Sequence, residues 1–272
     1  MTAAAGLLAG FLLPLLGLAC TAWALGRAVT RRAALGLGFA DGLERAVVSY
    51  ALGLALAAHL LLLLGLAGWL RPVPVLVAAV GVSFLSWWGE GKKRPQRQPR
   101  PQGPREEAEP SGVAGVPGVS VVPGLALAAL AALLPLAVLA LYPPTGFDAT
   151  LYHLPFARAF ADSGGVPYVM DRRVPVFPQA NEILFAALLL FGRDVATQGL
   201  QLLATLASAG LAFAWARRAW PQRRWAGWVA AATFLGNPIV VHLAGSAYIE
   251  PGLTLFVTAA LYSLDRWSEE RR

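Results

Sequence analysis

Residues 46–70 read AVVSYALGLALAAHLLLLLGLAGWL, and no Asp, Glu, Lys or Arg interrupts them. An α-helix rises 1.5 Å per residue, so about 20 apolar residues cross a hydrocarbon layer of about 30 Å. The block from Ala46 to Leu70 therefore predicts a helix that crosses a membrane. Working outward, six further apolar blocks follow the same reading: Ala3–Leu25, Val73–Trp88, Val121–Leu141, Val195–Trp215, Trp225–Val241 and Pro251–Leu264. Val73–Trp88 turns back from the first block across Arg71–Pro72. The expected fold class is an all-α integral membrane protein of about seven transmembrane helices.

Composition agrees. Of 272 residues, 57% are hydrophobic and 14% charged, against about 25% charged in a soluble domain. The net charge of +7 sits in the segments between apolar blocks, so topology explains it and nucleic acid is not expected as a partner. The single cysteine, Cys20, rules out an internal disulfide and a cysteine metal cluster. It lies inside an apolar block that no basic residue precedes, so it reads as a small helical side chain rather than a lipoprotein cleavage site. With the N-terminus outside, the inner segments hold Arg27 to Arg45, Lys92 to Arg105, Arg217 to Arg224 and Arg266 to Arg272, which is most of the 22 Lys and Arg. The positive-inside rule selects that orientation, with a cytoplasmic C-terminus and a bacterial-type inner membrane as the location.

Three regions follow. Residues 1–88 form a three-span membrane unit. Residues 89–120, rich in Pro, Gln, Arg and Glu, are expected to be a disordered cytoplasmic linker. Residues 121–272 form a membrane core whose first two spans are separated by a long outer stretch, Tyr142–Arg193. Long connections of this kind are functional or disordered, and the aromatic and apolar content here argues for function. Asp148–Ala161 predicts a helix, with Leu151, Leu154 and Phe160 lying on the membrane surface as an outer-face amphipathic element. Pro155 bends it or sits in its first turns, and Gly164–Gly165 stops it. Glu182–Phe191 predicts a second short helix.

The outer stretch carries the chemistry. In FDATLYHLP, residues 147–155, Asp148 follows Pro143–Pro144 and Gly146, which permit a sharp exit from the membrane. Its carboxylate could take a proton from an acceptor hydroxyl, or simply cap the following helix. Tyr152 lies four residues on, on the same helical face. His153 could bind a metal, donate to a phosphate or orient Asp148, yet no HxxH or HExxH pattern accompanies it. Arg172 and Arg173 beside Asp171 could grip phosphate oxygens, or form a solvated turn. In GSAYIEP, residues 245–251, Tyr248 and Glu250 fall at the outer mouth of the last block, near His242 and the Asn237–Pro238 break. Glu250 before Pro251 serves equally as a helix start. His59 lies within an apolar block and is given no chemical role.

FDATLYHLP after a span, then FPQANEILFAALLLFG, then a span ending in ARRAW, then NPIVVHLAGSAYIEPGLTLF, resembles the N-terminal core of GT-C-type membrane glycosyltransferases. The likeness is to the dolichyl-phosphate-mannose–protein mannosyltransferase-like and aminoarabinose transferase-like enzymes, over about Val121–Trp267. It implies a GT-C-like fold and an inverting transfer of sugar from a polyprenyl-phosphate carrier to an outer-face acceptor. It implies Asp148 as catalytic base and Glu250 as the second acid, with Tyr152, His153, Arg172, Arg173 and Tyr248 around the substrate. The lipid-linked donor and membrane lipids are the implied partners, and a divalent cation could join the site. The sequence departs from the pattern in three ways. Ala149 follows Asp148 where many protein mannosyltransferases carry adjacent acids, the first three spans precede the familiar start, and the family core continues beyond Arg272. The expectation is therefore a first part of the core, completed by a partner chain. The competing reading is a non-catalytic lipid-handling or transport protein, or a subunit of a membrane complex.

Overall fold

The computed structural model describes residues 3–31, 39, 41–88, 133–170, 179–223 and 225–270. Every regular element among them is helical. The first rod, α1, comprises Ala3–Leu7, a π turn at Leu8–Leu12 and Leu13–Arg31. Next come α2, Gly42–Leu66, and α3, Pro72–Trp88. The short helix α4 covers 133–139. A π turn at Ala149–His153 then leads into α5, Leu154–Ser163, followed by α6, Ala180–Leu189. The chain finishes with α7, Val195–Ala219, α8, Ala226–Leu235, α9, Pro238–Ala244, and α10, Glu250–Glu270.

Local chemistry sets the boundaries. The Asp41 carboxylate accepts the Glu44 backbone N–H at 2.8 Å and starts α2. Gly68, at φ +73°, closes α2 in the left-handed region, and Pro72 opens α3. Gly164, at φ +72°, ends α5. Pro155 sits in the first turn of α5, where its missing N–H is not needed.

Among the described residues three helices are long and apolar enough to cross a membrane: Ala5–Arg31, Gly42–Leu66 and Val195–Ala219, of 27, 25 and 25 residues. The expected sixth span is not one straight helix. Asn237–Pro238 divides it into α8 and α9, which bend by 68° and would count as a fourth span if taken together. The Asn237 side chain accepts the Ile239 N–H at 2.9 Å, so the break is capped rather than frayed. The 17 residues of α3 fall short of a full crossing by the same measure. The linker and most of the expected Val121–Leu141 span lie outside the described residues.

The long helices run between two polar ends. At one end lie the start of α1, the close of α2, the start of α7 and the start of α10, together with α5 and α6. Gly10 O accepts the Arg193 N–H at 2.8 Å there, and Gly164 O accepts the Leu70 N–H at 2.9 Å. At the opposite end Glu44 of α2 meets Arg218 of α7 and Arg266 of α10. One apolar core, including Phe11, Leu54, Phe160, Phe185, Leu200 and Tyr262, joins the helices before and after the linker.

The expectation that α5 rests on the membrane surface is overturned. Leu154 and Phe160, with Phe156 and Ala157, are buried inside the protein. The apolar face of α5 is covered by α6, whose residues Asn181–Leu188 are all buried. A short amphipathic helix satisfies its apolar side equally well on a neighbour as on lipid, and here the neighbour is available.

Candidate functional site

Asp148 lies at the head of the π turn, with backbone angles of φ −67° and ψ −36° and no capping hydrogen bond from its side chain. The cap reading is thereby overturned, because helical backbone already begins at Phe147 and the carboxylate turns elsewhere. The Tyr152 hydroxyl donates to it. Tyr248, almost one hundred residues later in the chain, packs over Gly146, where an added Cβ would meet its Cε2 at 2.3 Å. Glu250 and Tyr248 are both close enough to bear electrostatically on Tyr152. Four of the residues singled out from the sequence, Asp148, Tyr152, Tyr248 and Glu250, thus gather at one end of the bundle. His242 stands beside them, its ring 6.5 Å from that of Tyr248.

Partial burial, then the hydrogen bond and charge of Asp148, push the Tyr152 hydroxyl from 10.0 up to about 12. The phenol is therefore a hydrogen-bond donor at neutral pH and holds one lone pair of Asp148. The Asp148 carboxylate itself is half-buried.

His153 does not face this cluster as a ligand. Its Nδ1 lies 2.7 Å from Glu182 Oε1, with side-chain exposures of 5% and 3%. The imidazole instead backs Tyr152, with ring centroids 4.3 Å apart. One residue on from Tyr152, His153 points about a quarter turn away around the helix, into the interior between α5 and α6. Glu182 had been read only as part of a helix start. Its second oxygen, Oε2, is buried with no hydrogen-bond partner among the described residues. The signal that would have found it is one acid in an apolar helix that has no exposed face.

Beneath the cluster, α7 supplies a polar stripe that sequence reasoning also missed: Thr197, Gln201, Thr205 and Ser208, all buried. Gln201 Oε1 accepts the Gly252 N–H at 2.8 Å, and its Nε2 donates to Asn181 Oδ1 at 3.4 Å. Gln198 Nε2 donates to the backbone oxygens of Tyr142 and Ala140. These side chains satisfy the free N–H at the start of α10 and free carbonyls after α4, groups that a helix cannot satisfy itself. They fix Glu250 and the approach to Asp148 onto one rigid helix.

Arg172 and Arg173, with Asp171, lie outside the described residues. Among the described residues no group of three or more His, Cys, Asp or Glu is placed to hold a metal ion. The carboxylates at Asp148 and Glu250 do not by themselves make a resident metal site, and no chemical step is routed through a cation. Compared with known families, curated proteins and solved structures, the chain matches none.

Proposed function

We propose that this chain is a GT-C-type membrane glycosyltransferase, or the first part of one, working at the outer face of a bacterial inner membrane. The observation that carries the reading is the gathering of Asp148, Tyr152, Tyr248 and Glu250 at one end of helices that match a membrane's thickness. In the proposed arrangement α3, α10 and an extended α4 join the three long helices and the bent α8–α9 pair as seven spans. The N-terminus lies outside, so the Asp148 end faces out and the arginine-rich end faces the cytoplasm.

In the proposed reaction Asp148 removes the proton of an acceptor hydroxyl as its oxygen attacks the anomeric carbon. The bond from that carbon to the carrier's phosphate oxygen breaks, and polyprenyl phosphate leaves with the electron pair, with inversion at the sugar. The Tyr152 hydroxyl holds the Asp148 carboxylate in orientation. Glu250 and Tyr248 line the acceptor side. Arg172 and Arg173 meet the leaving phosphate, whose charge needs stabilisation.

One observation favours the transport reading. The 68° bend between α8 and α9 is an interrupted helix, a feature that lines substrate paths in transporters. The two readings separate cleanly. Asp148→Asn should abolish sugar transfer in membranes while inserting and accumulating normally. The protein purified in mild detergent should hold a polyprenyl phosphate, visible by native mass spectrometry and lost in the Arg172→Gln, Arg173→Gln double variant. Wild-type transfer by Asp148→Asn would remove the catalytic assignment. A protein that carries only bulk phospholipid would favour a non-catalytic membrane subunit.

A further inference from the structure

A second binding region lies away from Asp148. A groove of about 660 Å³ opens between α1, α2 and α3, with Ala187 and Leu188 of α6 as its floor. Its walls include Leu13, Gly17, Leu61, Leu76, Ala79 and Phe84. The Thr21 hydroxyl on its wall is already spent on Gly17 O at 2.8 Å, so it makes no demand on an occupant. A Cβ built on Gly17 meets nothing within 4 Å, which marks real space rather than a seam between packed helices. Water gains little from so apolar a channel, where the Ser83 hydroxyl is the one other polar side-chain group on the wall, and a hydrocarbon chain suits it.

Arg193 lies beside one end of the groove, next to its lining residues rather than among them. Ala9 and Phe191 line the groove at the end where Gly10 O accepts the Arg193 N–H. The Arg193 stem runs over Gly10, with Cγ 3.1 Å from an added Cβ. Its side chain is exposed, and no acidic partner meets it among the described residues. A guanidinium at the end of an apolar channel suits a phosphate joined to a hydrocarbon tail.

We propose that this groove holds one acyl chain of an anionic glycerophospholipid of the surrounding bilayer, with its phosphate on Arg193. The lipid is a resident one rather than a sugar donor, because no acid lines the groove. The first turn of α6 instead turns Asn181 and Glu182 toward Gly252 and His153. The proposal therefore stands apart from the transfer reading and survives or fails without it.

Native mass spectrometry of the full chain in mild detergent tests it, with phosphatidylglycerol, phosphatidylcholine and polyprenyl phosphate added separately. The wild type should retain one phosphatidylglycerol in preference to phosphatidylcholine by about fivefold. Gly17→Leu, which fills the groove, should lose both lipids. Arg193→Gln, a surface change, should bind both equally. Retention of phosphatidylglycerol by Gly17→Leu at the wild-type level would overturn the site, as would an unchanged preference in Arg193→Gln. So would displacement of phosphatidylglycerol by polyprenyl phosphate, which would make the groove a carrier site. A wild type that holds no lipid would mean that the groove is covered by this chain or a second copy, and would also overturn it. Thermal unfolding of both variants in the same detergent checks that each is folded. If Gly17→Leu is not, Arg193→Gln decides alone.

Discussion

His153 and Glu182 form a buried pair at 2.7 Å, and each is the other's principal polar partner. Removing one partner leaves a buried group unpaired, which costs about 1–3 kcal/mol, whereas removing both costs less. Glu182→Leu and His153→Leu should therefore each destabilise the protein by about that amount, and the double variant by less than their sum. Equilibrium unfolding in mixed micelles measures all three. Tyr152 offers a test in pH. Its folded value, about 12, lies above the ordinary 10.0. Between those values the unfolded chain loses the proton while the folded chain keeps it, so stability falls as pH rises through that window and is unaffected below it. Tyr152→Phe should lack this part of the alkaline decline, and melting curves from pH 9 to 12 would show whether it does. At this scale the sequence made Asp148 and Tyr152 legible, because four residues on a helix share a face. It made Tyr248 and Glu250 legible as candidates through their place at the start of the last apolar block. It did not reveal Glu182, because the partner that makes it notable lies 29 residues away.

Between elements, the crossing of α1 and α2 brings two backbones into direct contact. A Cβ on Gly26 would meet Ser49 O at 1.7 Å, and one on Gly53 would meet Ala22 O at 1.6 Å. Ala22 and Gly26 on one helix, and Ser49 and Gly53 on the other, repeat at four-residue spacing. This is the small-residue arrangement that lets membrane helices approach backbone to backbone. The hydroxyls of Thr30 and Ser49 add a hydrogen bond of 2.9 Å across the pair. Gly53→Val should lower stability by about 3 kcal/mol. Gly17→Ala on the open side of α1 should stay within about 0.5 kcal/mol of wild type. Thermal unfolding in one detergent compares them directly, and an equal effect of both would mean that the crossing is looser than this. The three long helices were legible as apolar runs. The contact was not, because small residues occur throughout these helices and only the crossing angle selects which ones touch. The same limit explains α5, whose apolar face was plain in the sequence while its cover, α6 rather than lipid, was not.

Across the whole molecule, Glu44 ties three helices together at the end opposite Asp148. It is 1% exposed. It accepts from Arg218 at 3.2 and 3.3 Å and from the Tyr262 hydroxyl, and Arg266 Nε stands 3.8 Å away. Glu44→Ala would leave Arg218 and Arg266 with the half-exposed Glu269 as their remaining acid and Tyr262 without its acceptor, a loss of about 2–3 kcal/mol, below the cost of leaving a buried charge wholly unpaired. The neighbouring pair of Arg217 with Asp41, at 48% and 35% side-chain exposure, should contribute under about 1 kcal/mol. Unfolding of Glu44→Ala beside Asp41→Asn, which keeps a capping oxygen for α2 while removing the charge, tests the contrast, and equal costs would deny Glu44 its place as the tie. Arg218 and Arg266 had entered the reading only as charges that set topology. Their role in packing depended on an acid from a helix far away in the chain.

Taken alone, the sequence determined that the chain is built of apolar helices, where the long stretch between apolar blocks begins, and which residues along it carry chemically versatile side chains. Those properties are local, since they depend on hydrophobicity over a run of residues and on spacing along one helix. Tertiary structure alone decided that Asp148, Tyr152, Tyr248 and Glu250 meet, that His153 turns inward to Glu182, and that α8 and α9 bend at Asn237. It also decided that an apolar groove stays open beside Arg193. These depend on how helices cross and which ends coincide, and a pattern of periodicity carries no information about partners distant in the chain.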